Sequence, residues 1–459
     1  MAQAVSSVLY LWLLLLLLPL LGRGSTYRTT LSADSRRLIV QSSHGAPTPE
    51  ETCSSVLSGM ANGNRLPLLH RSSPCSPLND RAGKPSADVL DRDARRLRTI
   101  YAAVCSSHVD APPPAPAPGV TVPVAVTDIP VLKGGLDYSV MVGFGTPAQQ
   151  LPMDFDTLDI PEGVSTLRCK PCRNSSGPCD PAFDPATSST FARVPCGPEC
   201  PSRCDGSTTT CSLNVTDSHG AVYVNGSFVK DTLTLSSSAT FASFILACTD
   251  VDNYTRNRQH NWRLLLLPAS VDASTRGFLT IGGSGTLPDL SGDGAVSTPL
   301  VDFPGNRNSY VIELGGINVG GKELPAPQPS LAALDVGTSF TFLKPQIYTA
   351  LRDEFRKRMP PYPVAPPPHP VLDTCYNFTG LPGFEVPAVW LEFKGGVTLT
   401  PDVDQMMYFP DGPFSVGCLA FAATSEEFPF SVIGNMAQQT VEVVYDVRGR
   451  KVGFIKGSC

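Results

Sequence analysis

Beyond its first two dozen residues the chain lacks any apolar run long enough to cross a bilayer, and it reaches Cys459 without an apolar tail. The one long run, residues 8–21 of "MAQAVSSVLYLWLLLLLLPLLGRGS", holds Pro19 and is too short to span. It suits the core of a signal peptide, although no Lys or Arg precedes it. Small residues follow at Gly22, Gly24 and Ser25, so removal of residues 1–24 is expected. A secreted protein with no membrane tie after signal removal is the expectation. Residues 120–459 also lack a basic patch, carrying 23 Lys/Arg against 33 Asp/Glu. That argues against a nucleic-acid partner. Histidine is scarce, and none lies beside "CKPC" (residues 169–172), which weakens a zinc or redox reading of that motif. Nothing in the sequence calls for a metal or an organic cofactor.

What is abundant is cysteine. The chain has 14, seven of them from Cys169 to Cys211, the pattern of a disulfide cluster in an oxidising compartment. Five Asn-X-Ser/Thr triplets, at Asn174, Asn214, Asn225, Asn253 and Asn377, are candidate glycan acceptors. Charge divides unevenly: residues 1–119 hold 12 Lys/Arg against 8 Asp/Glu, a basic front on an acidic body. A front segment that docks by charge is expected.

Within that front, "KPSADVLDRDARRLRTIYAAV" predicts a helix with Ser86 as N-cap. Leu90, Leu97, Tyr101 and Val104 lie on one face and the arginines on the other. "APPPAPAPG" (residues 111–119) then reads as a stiff linker, so residues 25–119 form a pro-segment with its linker. The body alternates as strands do. "LDYSVMVGFGTP" places Tyr138, Val140, Val142 and Phe144 on one face, and "YVIELGGINVGGKEL" and "VEVVYDVRGRKVGFI" read as strand-turn-strand units. One further helix is expected at "KPQIYTALRDEFRKRM". Many strands and few helices indicate an all-β protein of two lobes, residues 120–290 and 291–459, the first carrying the cysteine-rich insert.

A weak internal repeat supports two lobes. "PMDFDT" leads apolar residues into Asp156 and Thr157, and "LAALDVGTSFTFL" does the same at Asp335, about one domain later. Acids at the ends of apolar strands are rarely placed there without a function. Gly337 allows a tight turn beside Asp335, and Thr338 and Ser339 can hydrogen-bond that region. Two facing carboxyls would share one proton, the ionised one activating water and the neutral one protonating a substrate carbonyl. That chemistry splits a peptide bond without a metal or a covalent intermediate.

From about residue 65 onward the chain resembles a plant pepsin-family aspartic peptidase of the nepenthesin-like type. The resemblance rests on "LLHRSSPCSPL", "YSVMVGFGTPAQQLPM", "FDPATSSTFARVPC", "DVGTSFTFL", "LDTCYNFTG", "GCLAFAATS" and "VIGNMAQQTVEVVYDVRGRKVGF". It implies a bilobal pepsin-like acid-protease fold with a central cleft, a removable pro-segment and endopeptidase action on protein or peptide substrate at acidic pH. A monomer is expected. It makes Asp156 and Asp335 the catalytic pair, with Thr157, Gly337, Thr338 and Ser339 supporting them. It further implies the disulfides Cys169–Cys172, Cys179–Cys248, Cys196–Cys211, Cys200–Cys204 and Cys375–Cys418.

The chain also departs from that pattern. Leu158 and Asp159 follow Asp156-Thr157 where the family has glycine and serine, and leucine resists the conformations glycine adopts. The substrate-covering hairpin would fall in "NVTDSHGAVYVNGSF", with Asp217 in the tyrosine's place and Tyr223 six residues on. After Cys248 the glycine-rich strand pair expected beneath the first aspartate is replaced by a shorter, more polar stretch. Eleven cysteines from residue 120 onward leave one unpaired, and Cys459 is the one whose partner is missing. An alternative is therefore open: a catalytically inactive relative that binds a protein, as the plant xylanase inhibitors of this fold do.

Overall fold

The computed structural model describes residues 26–31, 37–43, 65–71, 73, 76, 87–106, 122–123, 137–157, 166–169, 181–201, 204, 209–216, 222–236, 239–249, 254–256, 262–265, 277–281, 296–303, 310–412 and 414–456. Several expectations fall outside those residues: the signal peptide, Leu158, Asp159, Asn174, Asn253, Cys172, Cys179, Asp217 and Cys459. Tyr223 and Asn214 lie on described strands whose side chains at those positions are not described.

The front of the chain contributes β1 (Thr26–Leu31), β2 (Arg37–Ser43), β3 (Arg65–His70) and helix α1 (Ala87–Ser106). The body follows with β4 (Tyr138–Phe144), β5 (Gln149–Asp156), β6 (Thr166–Arg168), β7 (Ser212–Thr216), β8 (Val222–Ser236), β9 (Ala239–Thr249), β10 (Tyr254–Arg256), β11 (Trp262–Leu265) and β12 (Gly277–Ile281). Then come β13 (Val311–Val319), β14 (Leu331–Leu334), β15 (Thr341–Leu343), helix α2 (Pro345–Lys357), β16 (Cys375–Asn377), β17 (Gly383–Pro387) and β18 (Val389–Phe393). The last are β19 (Val416–Leu419), β20 (Phe421–Ala423), β21 (Ser431–Ile433), β22 (Val441–Asp446) and β23 (Lys451–Lys456).

One strand arrangement occurs twice. In the first copy β4 and β5 are antiparallel, β10 lies parallel to β5 and antiparallel to β6, and β6 is parallel to β9. In the second, β13 and β14 are antiparallel, β21 lies parallel to β14 and antiparallel to β15, and β15 is parallel to β20. Each copy delivers an aspartate at the end of its second strand, so the sequence repeat is a repeat of topology. The short polar segment after Cys248 therefore supplies the strand that the second copy takes from "VIGN", with Arg256 in register beside Asp156. The copies differ in quality. Gly434 packs so closely that a Cβ would lie 2.1 Å from the Phe340 carbonyl oxygen, whereas no glycine occurs from residue 250 to 276.

The two halves share one ladder, which runs β23-β22-β11-β12-β3-β4-β5-β10-β6-β9-β8-β7. The front segment sits inside it: β3 pairs with β12 on one side and β4 on the other. Tyr138, Val140, Val142 and Phe144 are buried as their alternation predicts, and Ser139 is buried as well, so both faces of β4 are covered. Helix α2 starts with Pro345 and buries Ile347, Tyr348, Leu351 and Phe355. Each such side chain contributes roughly 1.5–3 kcal/mol on leaving water.

Two expectations are corrected. Helix α1 does not turn all its arginines to solvent: Arg98 is exposed, but Arg92 and Arg95 are half-buried and Arg96 is buried. Its inward stripe is Leu90, Asp93, Arg96 and Ile100, all essentially inaccessible, while Leu97 and Tyr101 are half-buried. The protein surface it meets holds carboxylates, so a cation belongs on that face. The disulfides also differ. Cys169 pairs with Cys248, because β6 and β9 are parallel neighbours that bring their Cα atoms to 5.4 Å; neither Cys169–Cys172 nor Cys179–Cys248 can then form. Cys196 pairs with Cys204 and Cys200 with Cys211, at Cα separations of 5.7 and 5.6 Å. The Cys200 and Cys204 sulfurs approach to 3.6 Å, so these four thiols form one cluster whose partners spacing alone does not decide. Cys375 and Cys418 face each other on β16 and β19 and are joined.

Candidate active site

The strands β5 and β14 are apolar enough to be sheathed on both sides, and each carries an acid at its C-terminal end. Asp156 and Asp335 are 3 % and 0 % exposed. An isolated buried carboxylate is costly, so each needs a partner. The partner is shared. Arg96, at the centre of α1, places Nη2 2.6 Å from Asp156 Oδ1 and 2.6 Å from Asp335 Oδ1, and Nε 2.8 Å from Asp335 Oδ2. Two residues from distant strands thus meet at a single nitrogen atom supplied by a third segment. Gly337 makes room: a Cβ there would lie 2.3 Å from the Arg96 guanidinium carbon.

The turn after Asp335 holds its carboxylate in place. The Gly337 amide donates to Oδ1 at 3.0 Å, and the Thr338 hydroxyl donates to Oδ2. Thr157 acts across the halves instead. Its hydroxyl donates to the Leu334 carbonyl and accepts from the Val336 amide, both at 2.9 Å, tying the end of β5 to the end of β14. Thr157 directly follows its aspartate, whereas Val336 holds that place after Asp335 and Thr338 stands three residues on, so the grip runs from the first half to the second only.

Around the pair lies a polar shell that the residue pattern around Asp156 and Asp335 does not announce. Asp137 accepts from the Ser339 hydroxyl, from Asn435 Nδ2 at 2.8 Å and from Arg92 Nη2. Arg92 also donates to the Ser339 hydroxyl at 2.8 Å. Asp93 Oδ2 accepts the amides of Ser339 and Phe340, both at 2.9 Å. Arg71, just beyond β3, forks onto Asp154 at 3.1 and 3.2 Å. Ser339, expected to support Asp335, serves Asp137 and Arg92. The one sign of this shell in the sequence is Asp93, an acid set into the face of α1 that carries Leu90 and Leu97.

Charge in the site is tuned by burial and pairing. Burial pushes the Asp335 carboxyl above its ordinary value, against the pull of Arg96 and Thr338, and the Asp156 charge adds to the rise. Burial works against the charge of Arg96, yet Asp156 and Asp335 hold its proton more firmly than water would. Burial likewise opposes ionisation of Asp137, but Arg92, with the bonds from Ser339 and Asn435, holds that carboxyl well below the usual range. Asp93 goes the other way: burial pushes it up to about 7, only partly offset by Arg92 and its two backbone donors.

Comparison with known proteins agrees with this geometry. Two family models match, "Xylanase inhibitor N-terminal" over residues 138–261 and "Xylanase inhibitor C-terminal" over residues 309–456. Aspartyl protease family protein 2 of Arabidopsis thaliana is 31% identical over 81% of this chain and 80% of its own. Aspartyl protease AED1 of the same plant is 28% identical over 86% of each chain, and aspartic proteinase nepenthesin-2 of Nepenthes gracilis is 26% identical over 81% of this chain and 85% of its own. Among solved structures, conglutin gamma from lupine seeds superposes with a TM-score of 0.52 at 15% identity, over 70% of this chain and 92% of that one. Soybean basic 7S globulin superposes with the same TM-score and identity, over 71% and 92%. With two aspartate-tipped copies of one sheet arrangement facing each other, and relatives of this likeness over most of its length, the chain belongs to the pepsin-type aspartic protease family of plants.

Proposed function

We propose that this protein is a secreted aspartic-type endopeptidase whose residues 65–106 hold it as an inactive precursor. The observation that carries the reading is Arg96, which occupies the space between Asp156 and Asp335. A guanidinium there stands where the attacking water and the scissile carbonyl would bind. When α1 leaves, two carboxyls at that separation keep one proton between them. The ionised carboxyl deprotonates water, and the neutral one hydrogen-bonds the substrate carbonyl and then protonates the leaving amine. Gly337, tight against Arg96 in the closed form, leaves room for a peptide backbone in the open one. The hairpin carrying Asp217 and Tyr223 would cover that peptide. Exposed Asn225 and Asn377 are the glycan acceptors best placed for modification.

A second reading is supported by the unequal halves. The strand beside Asp156 has no glycine after it to match Gly434 beside Asp335, and both family models bear the name of xylanase inhibitors. On this reading the fold binds a protein and turns nothing over.

One experiment divides them. The purified chain is cut after α1, residues 1–119 are removed, and an unfolded protein substrate is offered from pH 2 to 7. Cleavage with a maximum near about pH 3–5, blocked by a statine-type inhibitor, supports the peptidase. Absence of cleavage at every pH, with the fold retained by circular dichroism, overturns it in favour of the binding protein.

A further inference from the structure

Apart from the ladder positions of β3, the front segment touches the body at two separated places. One is the aspartate pair. The other is the edge of β17. Strand β2 lies antiparallel against β17 over five register pairs, from Arg37↔Pro387 to Gln41↔Gly383, and β1 lies against β2 over six. Among the described residues β17 has no strand neighbour other than β2. Its inner side is fixed by aromatic packing: Phe384 stacks on Phe378 at 4.1 Å and meets the rings of Phe409 and Phe414. Its outer edge is thus a rigid, ready-made template for an added strand.

The template and the hairpin match in detail. The Glu385 amide is spent on the Tyr362 hydroxyl at 2.7 Å. In an antiparallel ladder alternate residues bond the neighbour, so the bonds to β2 fall at Phe384 and Val386, opposite Val40 and Leu38. Leu38 is 6 % exposed and joins the main core. Arg37 donates Nε to Glu385 Oε2 at 2.8 Å, Nη2 to the Glu385 carbonyl at 3.1 Å and Nη1 to the Arg358 carbonyl at 3.3 Å. None of these contacts involves β3, α1 or the aspartates.

We propose that the outer edge of β17 is a strand-acceptor site whose occupant is the hairpin of residues 26–43, and that this hairpin stays docked as a separate peptide when the chain is cut between β2 and β3. The recognition is by backbone ladder, one buried leucine and one arginine fork, so it is independent of whatever frees the aspartate pair. An isolated hairpin is marginal in water, and the third strand supplied by β17 is what orders it. Occupancy also covers an edge that would otherwise invite a second copy of the chain.

This docking rests on the precursor reading only for the idea that the chain is cut, and its test does not need activity. A recognition sequence for a site-specific protease is inserted between residues 44 and 64 of the full chain, the chain is cut there, and the products are run on size exclusion at micromolar concentration. The expected result is co-elution of the 26–43 fragment with the body, shown by mass spectrometry, and its displacement by a synthetic peptide of the same sequence. Val40→Pro removes a ladder donor and should weaken retention by about tenfold. Arg37→Ala should weaken it without altering the strand. A fragment that elutes alone overturns the proposal, as does retention indifferent to both substitutions. Loss of the fragment with the body running as a dimer assigns the edge to a second copy and overturns it equally. Whatever these runs show, cleavage of substrate by the activated protein is scored separately.

Discussion

At the scale of the residue, three charges decide the behaviour of the site: two carboxylates and one guanidinium. Arginine keeps its proton at every pH a protein meets, so acid alone cannot neutralise Arg96. It can act only on the carboxylates or on the rest of α1. Removing Arg96 leaves two buried carboxyls without a counter-charge, and Arg96→Met should destabilise the uncut chain by about 3–5 kcal/mol. Chemical denaturation of both forms measures this. The same variant should show substrate cleavage before any processing if the guanidinium is what blocks the site. Asp335→Asn in the activated protein should lower kcat by roughly 100- to 10,000-fold with little change in KM. Activity that survives the change would show that the carboxyl pair is not what drives hydrolysis. Both acids are legible in the sequence, since packing alone gives an apolar strand no use for a terminal Asp-Thr or Asp-X-Gly-Thr. Arg96 is not. On a helical wheel it falls among other arginines, and only the position of the carboxylates in space makes it the buried one.

At the scale of the element, α1 is a helix whose docking depends on pH in two opposed ways. Asp137 has a depressed carboxyl, so its contribution is fully present above the ordinary value near 3.8 and is lost as pH falls through the depressed one. Asp93 has a raised carboxyl, so the docked helix loses stability as pH rises from about 3.8 to about 7. Hydrogen exchange of the α1 amides across pH should separate them. Asp93→Asn, which keeps an acceptor for the Ser339 and Phe340 amides, should slow exchange at pH 7 by about tenfold or more and leave pH 3 unchanged. Asp137→Asn should speed exchange at pH 6, by a margin that shrinks as pH falls below about 3.8. Helix α2 and the strand-turn-strand units are readable from periodicity, because their partners are ordinary apolar surfaces. The inward face of α1 escapes periodicity because its partner is not apolar. The disulfide pairs escape for a related reason: spacing along the chain does not report which strands a parallel ladder sets side by side.

At the scale of the whole molecule, the front segment is part of the architecture. β3 fills a position between β12 and β4 in the ladder that joins the halves. A chain beginning at residue 120 has two strand edges exposed there during folding. Such a chain should be recovered mostly aggregated, and residues 25–119 supplied as a separate polypeptide during refolding should restore soluble monomer, as size exclusion would report. Equal recovery with and without that polypeptide would count against a templating role. Two halves of mainly β-structure can be foreseen from the repeat, whereas the placement of β3 cannot, because a six-residue strand carries too little pattern to name its neighbours.

The two aspartate-bearing sheets also invite a view of the molecule in time. The central strand of the second, β21, is followed by a glycine pressed onto a backbone carbonyl, while the sequence after that of the first, β10, offers no glycine before Gly277. Duplicated parts that differ in this way are expected not to breathe alike, the half bearing Asp156 opening at a lower free energy than the half bearing Asp335, which hydrogen exchange would read. A chain built so should fray from one side first, and its earliest protease-sensitive bonds should cluster in the half bearing Asp156.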